Sequence, residues 1–229
     1  FEMLRANVLV ILARSYLDLG LVREAKAVLE DRRGALEEVP EPQVRVPYLG
    51  ERLRIAIALG DEEVAAREAF SLIDCVAGRT THSAEVPVPV VTVCRWLARR
   101  PGHVANDGFD RCLAALAQTE HQFASDLTRA AHLEGRAAAA GGLGRWTEAA
   151  HLFVAAADGW AGCGFPLDEA RTRCSAAVWL ERIGAGEEAG VQRRRADGLL
   201  SGLQSRLPSG TLRSAFERVR ETMLSGRSG

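Results

Sequence analysis

The amino-acid sequence predicts an all-α protein, an α-solenoid of about five helix-turn-helix hairpins with a C-terminal capping helix. Three observations predict this fold. Glycines recur at a nearly constant interval after apolar stretches. Alanine runs such as residues 137–140 favour closely packed helices, because alanine has the highest helix propensity and a small side chain. The densest β-branched segment, residues 86–93, contains two prolines, which argue against a central strand.

The recurring glycines set the length of the repeat. Their successive spacings are 40, 42, 42 and 40 residues, and each glycine separates two helix-like segments. A glycine just past a helix supplies the left-handed conformation that ends it, and the acids that follow lie near the positive end of the next helix dipole. The five glycines are Gly20, Gly60, Gly102, Gly144 and Gly184.

This repeat predicts one helical-repeat domain over residues 1–224 and a flexible tail over 225–229. In the middle unit we expect a first helix over residues 90–98, with Pro87 and Pro89 at its start, and a second over 108–116. The sequence leaves the alignment of that unit to the other units undecided by one or two residues. Residues 209–224 carry apolar side chains at the helical period and are predicted to cap the open end of the stack. The units are predicted at about residues 4–40, 44–80, 84–122, 124–163 and 167–206.

Composition and charge exclude several classes of function. The formal net charge is -1, which gives no sign of the basic surface expected of a nucleic-acid-binding protein. It has neither a signal peptide nor a run of about 18 apolar residues, and we expect a cytoplasmic protein without membrane contact. Lys26 is the only lysine and has no glycine-rich approach, which excludes a phosphate-binding loop. Because the chain begins at Phe1 inside a predicted helix, we expect a fragment of a longer protein.

Side chains that carry chemistry are scattered rather than gathered in motifs. The five cysteines include no C-x-x-C pair, so we expect buried, reduced thiols and neither a zinc nor a redox site. The five histidines lack ligand partners at helical spacing, and the acidic pairs lie near helix ends, where they favour the helix dipole. An all-α enzyme would need inward carboxylate or metal clusters, which the sequence does not suggest. We therefore expect no catalytic residues, no cofactor and no metal.

Two units share a pattern of alanines and large residues. The matching residues are Ala137, Ala140, Gly144, Trp146, Ala149, Phe153 and Ala156 in one unit, and Leu12, Ala13, Tyr16, Gly20, Ala25 and Leu29 in the first. Both units resemble a tetratricopeptide repeat, although that family's usual period is about 34 residues. The longer period is similar to the repeat domain at the carboxyl side of large ATP-binding bacterial regulators of the maltose-activator and LuxR type. Phe165-Pro166 and the tail over residues 207–216 add to that resemblance.

The resemblance implies the function of a repeat region alone, because the sequence holds neither a phosphate loop nor a DNA-binding helix-turn-helix. We expect a non-catalytic module that senses a ligand or docks a protein within a larger bacterial signalling or transcriptional regulator. A protein, a peptide or a small-molecule effector would bind in the concave groove, without direct contact to nucleic acid. The alternative is a stand-alone adaptor that holds a peptide segment in the same groove.

In tetratricopeptide arrays the first helix of each hairpin lines the concave groove. Arg14 and Arg54 occupy the same position in adjacent units, and with Arg99 they would form a basic lane for an acidic peptide, a terminal carboxylate or an anionic small ligand. The alternative is that these arginines pair with neighbouring acids. The register predicts eight groove-facing residues: Asn7, Arg14, Arg54, Trp96, Arg99, Glu134, Arg171 and Glu181.

Overall fold

A computed structural model describes residues 2–31, 33–37, 41–77, 86–100 and 103–225. These residues form twelve α-helices, of which the third has only five residues, and none of the described residues lies in a strand. The all-α prediction is confirmed. In chain order the helices are α1 (Glu2–Asp18), α2 (Val22–Glu30), α3 (Arg33–Glu37), α4 (Pro42–Leu59), α5 (Glu62–Val76), α6 (Pro87–Leu97), α7 (His103–Gln122), α8 (Asp126–Gly142), α9 (Trp146–Cys163), α10 (Pro166–Arg182), α11 (Gly186–Ser205) and α12 (Gly210–Leu224).

The helices pack mainly against their neighbours in sequence. α1 pairs with α2, α4 with α5, α6 with α7, α8 with α9, and α10 with α11. The first helices of these pairs also contact one another in succession, α1 with α4, α4 with α6, and α6 with α8. Each pair therefore buries its apolar face against the next pair, which is the contact pattern of a repeat-like helical array.

The glycines that end the first helices adopt the predicted left-handed conformation. Gly60 has a φ of 70°, and the N–H of Asp61 donates to the carbonyl of Ala56 at 2.9 Å. This bond reaches back five residues and satisfies a carbonyl that the helix end would otherwise leave without a partner. The same conformation occurs at Gly20, Gly144 and Gly184, and also at Gly164 after α9. Gly102 and the predicted unit limits at residues 40, 80 and 84 lie outside the described residues, as do 226–229 of the predicted tail.

The middle hairpin departs from the sequence prediction at its second helix. α7 begins at His103 rather than at residue 108, so the predicted start is wrong. Gly108 instead lies inside the helix, where a Cβ atom would meet Leu97 Cδ1 at 2.9 Å. The glycine allows α7 to approach the end of α6. Close packing, and not the beginning of a helix, explains this glycine.

Alanine and glycine fill the closest contacts between helices, as the composition predicts. The four alanines over residues 137–140 of α8 are at most 1% exposed. Where α9 packs on α8, a Cβ atom on Gly159 would lie 2.9 Å from the Cβ of Ala130. Residues this small let α8 and α9 approach along much of their length, which larger side chains would prevent.

The capping helix α12 connects the two ends of the array. Its first turn is capped by Ser209, whose Oγ accepts a hydrogen bond from the N–H of Leu212 at 3.2 Å. The helix packs on α10 and α11 as predicted, but it also reaches the first hairpin. A Cβ atom on Gly20 would meet Val219 Cγ2 at 2.7 Å. The prediction of a cap over an open end is therefore incomplete, because the array curls until α12 touches the turn between α1 and α2.

Two glycine substitutions should change stability in opposite directions. Gly60→Ala places a Cβ in left-handed backbone and should cost about 1–2 kcal/mol, although the surrounding space is open. Gly198→Ala, inside α11 and equally free of neighbours, should stabilise the protein by about 0.5–1 kcal/mol. Urea denaturation measures both changes. A neutral Gly60→Ala would contradict the assigned backbone conformation.

Candidate functional site

A cavity of about 480 Å³ lies where the two ends of the array meet. Its walls come from the last turns of α1 and α4, from α6, from the start of α10 and from α12. Ile57, Val219 and Met223 supply part of its apolar surface. Among the described residues that line it, none is acidic. Its positive charges are Arg54, Arg95, Arg99, Arg171 and Arg218.

A second cavity of about 260 Å³ adjoins the first. The two share Arg95, Arg99, Arg171 and Met223 among their lining residues. The other walls of the smaller cavity come from α8, α9 and α10, and include Phe153. The shared arginines therefore separate a larger space at the ends of the array from a smaller one beside α8.

Glu51 on α4 fixes the first group of arginines. It is 2% exposed, and its two carboxylate oxygens accept hydrogen bonds from Arg14 Nε at 2.8 Å and Arg54 Nη1 at 2.9 Å. Arg54 also donates to Asp18 Oδ1 at 2.5 Å, across the α1–α4 contact. Burial acts to lower the pKa of Arg54, but the charges of Glu51 and Asp18 outweigh it and raise that pKa. Arg54 is thus a fixed cation in the cavity wall.

Glu134 on α8 plays the same part for Arg95 on α6. One of its oxygens accepts from Arg95 Nε at 2.8 Å and Nη2 at 2.5 Å, while the other accepts from Trp160 Nε1 at 2.8 Å. The Glu134 side chain is fully buried. The sequence register predicts that Glu134 faces the groove, whereas it lies behind Arg95 and lines neither cavity.

The remaining arginines lie in a crowded positive environment. Burial is the main cause that lowers the pKa of Arg171, and the nearby Arg95 and Arg54 add to it, although Asp168 accepts a hydrogen bond from Arg171 at 2.8 Å. Burial and the like charge of Arg95 lower the pKa of Arg99 to about 10, even though part of its side chain reaches solvent. Both arginines stay protonated at neutral pH, although burial and the neighbouring arginines disfavour positive charge at their positions.

Trp96 forms a rigid part of the cavity wall. Its side chain is 4% exposed and packs edge-on against Phe70, with ring centroids 6.1 Å apart. The guanidinium carbon of Arg100 lies 3.9 Å from the centre of the Trp96 ring, within cation–π distance. Its buried Nε1 has no hydrogen-bond partner among the described residues.

The structure brings half of the predicted groove residues together. Arg54, Trp96, Arg99 and Arg171 all line the larger cavity. Arg14 does not line this cavity, because it lies behind Arg54 and pairs with the same carboxylate, Glu51. The pairing of arginines with neighbouring acids, the alternative to a basic lane, also occurs. The acids bind the arginines from behind, and none of the described residues that line the cavity is acidic.

Two predicted residues lie away from the cavity. Asn7 is half-buried near the start of α1, and Glu181 is exposed near the end of α10, where it pairs with Arg193 of α11. Each helix has 17 residues, which is about 25 Å, so its two ends reach different surroundings. The cavity lies beside the end of α1 and the start of α10, and the opposite ends of these helices are remote from it.

Sequence reasoning missed two of the lining arginines. Arg95 could have been found, because it lies near the end of the predicted first helix and precedes Arg99 by four residues, about one helical turn. Arg218 could not, because it reaches the cavity only through the contact of α12 with the first hairpin. No local pattern in the sequence encodes that long-range contact.

Other chemistry is sparse in the described ranges. They contain no group of three histidine, cysteine or acidic side chains that would hold a metal ion. Burial raises the pKa of Cys174 to about 11, so its sulfur stays a thiol at neutral pH, and all five cysteines are free. No helix in these ranges is long and apolar enough to cross a membrane. Neither a known protein family, nor a curated protein, nor a solved structure matches this chain.

The role of Glu51 can be tested by substitution. Glu51→Gln keeps the shape of the side chain but leaves Arg14 and Arg54 without their shared buried charge, and should cost about 2–3 kcal/mol of unfolding free energy. Glu181→Gln removes an exposed ion pair and should change stability by less than about 0.5 kcal/mol. Equal effects of the two substitutions in chemical denaturation would contradict the buried role of Glu51.

Proposed function

We propose that this chain is the effector-sensing module of a larger cytoplasmic bacterial signalling or transcriptional regulator, without a catalytic role of its own. Its helices would form an α-solenoid of tetratricopeptide-like hairpins that closes around a small molecule. The observation that carries this proposal is the cavity of about 480 Å³ between the first hairpin and α12. Small-molecule sites are typically concave and mostly apolar, with a few polar groups and volumes of about 300–1,000 Å³.

A stand-alone adaptor that holds an extended peptide is the second candidate function. A peptide in the groove would cross the register position shared by Arg14, Arg54 and Trp96. In this protein α12 lies against the end of that surface, and its Arg218 and Val219 line the cavity together with Arg54. A helix in that place shortens the groove and favours a compact ligand over an extended one.

The outer face of α1 supports the placement in a larger protein. Leu4, Val8 and Ile11 lie on one helical face and are 65%, 55% and 59% exposed. The positions 40 residues later on α4 are at most 2% exposed, because α1 and α2 pack on that helix. Those positions hold Val44, Tyr48 and Glu51. A further helical hairpin, packed on α1 as α1 and α2 pack on α4, would bury the apolar face of α1.

Replacement of both Leu4 and Ile11 by glutamate tests the covering hairpin. In the 229-residue chain both side chains are exposed, so the unfolding free energy should change by less than about 0.5 kcal/mol. In the longer natural polypeptide the double substitution should cost about 2 kcal/mol or more, because it would bury charge. Denaturation of both proteins measures the difference, with Val44→Glu as the control at a buried site. Equally small effects in both proteins would remove the covering hairpin and favour the adaptor.

A cavity-filling substitution tests the effector site. Ala58 lines the cavity and is itself exposed, so Ala58→Trp should fill the space without disturbing the core. Metabolites that raise the melting temperature of the wild-type protein should lose this effect in Ala58→Trp. They should keep it in the control Ala155→Trp, at an exposed position on α9 outside both cavities. A metabolite library without a stabilising compound, or one whose compounds stabilise all three proteins equally, would contradict the effector site.

A further inference from the structure

We infer that the effector is an organic monocarboxylate, whose carboxylate group bridges Arg95 and Arg171 and whose apolar body lies in the larger cavity. This inference rests on the proposed function, because it names the class of ligand for the same site. Three observations carry it: the unused donors of these two arginines, the way in which Glu51 bridges two other arginines, and the apolar walls of the larger cavity.

Arg95 and Arg171 each keep part of the guanidinium group free for a ligand. Arg95 donates from Nε and Nη2 to Glu134, and its Nη1 has no hydrogen-bond partner among the described residues. Arg171 donates from Nη1 to Asp168, and its Nε and Nη2 donate to none of these residues. The three free nitrogens are not buried, and both arginines line both cavities. Their N–H groups are therefore available to a ligand in that space.

Arg95 and Arg171 are close enough for their charges to interact. Burial is the main cause that lowers the pKa of Arg171, and the like charge of Arg95 adds to it. An anion between the two groups would offset this repulsion, because opposite charge favours the protonated form of an arginine. Each arginine is also held by a carboxylate, Glu134 or Asp168, so it loses little freedom when a ligand binds.

Glu51 shows how one carboxylate serves two arginines in this array. One of its oxygens accepts from Arg14 Nε at 2.8 Å and the other from Arg54 Nη1 at 2.9 Å, on the successive first helices α1 and α4. Arg95 and Arg171 also lie on different first helices, α6 and α10, but no described carboxylate accepts hydrogen bonds from both. A ligand carboxylate would supply that bridge, with one oxygen for each arginine.

The apolar walls indicate that the carboxylate belongs to a molecule with an apolar body. Ile57, Val219 and Met223 line the larger cavity together with both arginines. An apolar group gains free energy there from the surface that it removes from water, which a small inorganic ion cannot gain. We place the body in this cavity, of about 480 Å³, because the smaller one has only about 260 Å³.

Four probes test the charge and the body of the ligand: phenylacetate, phenylacetamide, acetate and phenylsuccinate. Titration calorimetry with the 229-residue protein at pH 7 and physiological salt should give phenylacetate a Kd of about 1 mM or lower. Phenylacetamide lacks the charge and acetate lacks the ring, so each should bind at least about tenfold more weakly. Phenylsuccinate has a second carboxylate and should gain less than about threefold, because a charge outside the bridge reaches only solvated partners.

Substitutions then locate the carboxylate. Arg171→Gln should weaken phenylacetate at least about tenfold, because it removes one charged hydrogen-bonding partner. Arg95→Gln combined with Glu134→Gln should have the same effect, and it leaves no buried charge alone because both members of the pair change together. Arg195→Gln, an exposed arginine of α11 outside both cavities, is the matched control and should leave binding unchanged. Circular dichroism checks that each variant remains folded.

Two further variants locate the apolar body. Ala58→Trp fills the larger cavity and should remove phenylacetate binding. Val178→Trp, at an exposed position that lines only the smaller cavity, should change the Kd less than about threefold. The reverse result would overturn the placement of the body.

The carboxylate bridge is overturned if phenylacetate and phenylacetamide bind equally, or if neither arginine variant weakens phenylacetate. Loss of binding in only one of the two variants also overturns it, because the ligand would then meet a single arginine. Phenylsuccinate that binds about tenfold more tightly than phenylacetate overturns the single charge, and a Kd of phenylacetate above about 1 mM overturns the whole inference.

These outcomes are distinguishable from failure of the proposed function. The effector site survives each of them as long as Ala58→Trp still removes stabilisation by other compounds of the metabolite library. A library without any effect of Ala58→Trp removes the effector site itself.

Discussion

The inner surface of this protein depends on buried carboxylates that face arginines across adjacent first helices. Glu51 on α4 and Glu134 on α8 are almost completely buried, and each accepts hydrogen bonds on both of its oxygens. A charge in such a place is costly unless it is fully paired, so the helices that carry its partners cannot shift freely. The pairs Glu51–Arg14 and Glu134–Arg95 therefore fix the spacing between neighbouring hairpins as well as the orientation of the arginines.

The repeat register relates the residues that line the inner surface of this repeat-like array. Arg14, Arg54, Trp96, Ala138 and Val178 occupy the same position at spacings of 40, 42, 42 and 40 residues. All of them except Arg14 line one of the two cavities. The first helices that carry the first four of these positions contact one another in succession, from α1 to α8. Their chemistry differs along the array, from arginine at one end to small and apolar side chains at the other.

The same register marks what the sequence could predict. The glycine stops, the hairpins and the α12 segment follow from local signals, namely left-handed caps, helical periodicity and propensity. The register also selects Arg54 and Arg99, which line the larger cavity. It does not reveal that Glu134 is buried, since whether a carboxylate at the inner face is exposed or buried depends on which arginine comes from the neighbouring helix. Arg95 supplies that partner from 39 residues away.

Local sequence signals could not predict that the array curls back on itself, because the curl depends on a contact between opposite ends of the chain. Gly20 ends α1 with a positive φ, and its missing Cβ also admits Val219 of α12. That Gly20 ends α1 can be predicted from a helical pattern that stops at a glycine. That it contacts α12 cannot, because the position of a helix about 200 residues later depends on many small rotations between successive hairpins. A glycine that serves both purposes looks in the sequence like any other helix stop.

Closure gives this array a property that an open one lacks. In an open repeat array each hairpin contacts only its neighbours, so a ligand at one hairpin affects distant ones only through the hairpins between them. Here Asp18 lies 3.9 Å from Arg171, and α12 touches the α1–α2 turn, so the first and last hairpins are also neighbours. A ligand that binds only the closed arrangement stabilises it by its own binding free energy. Helix α1 would then link ligand binding to the rest of the protein, because Leu17 at one of its ends lines the cavity and Leu4 at the other belongs to the exposed apolar face.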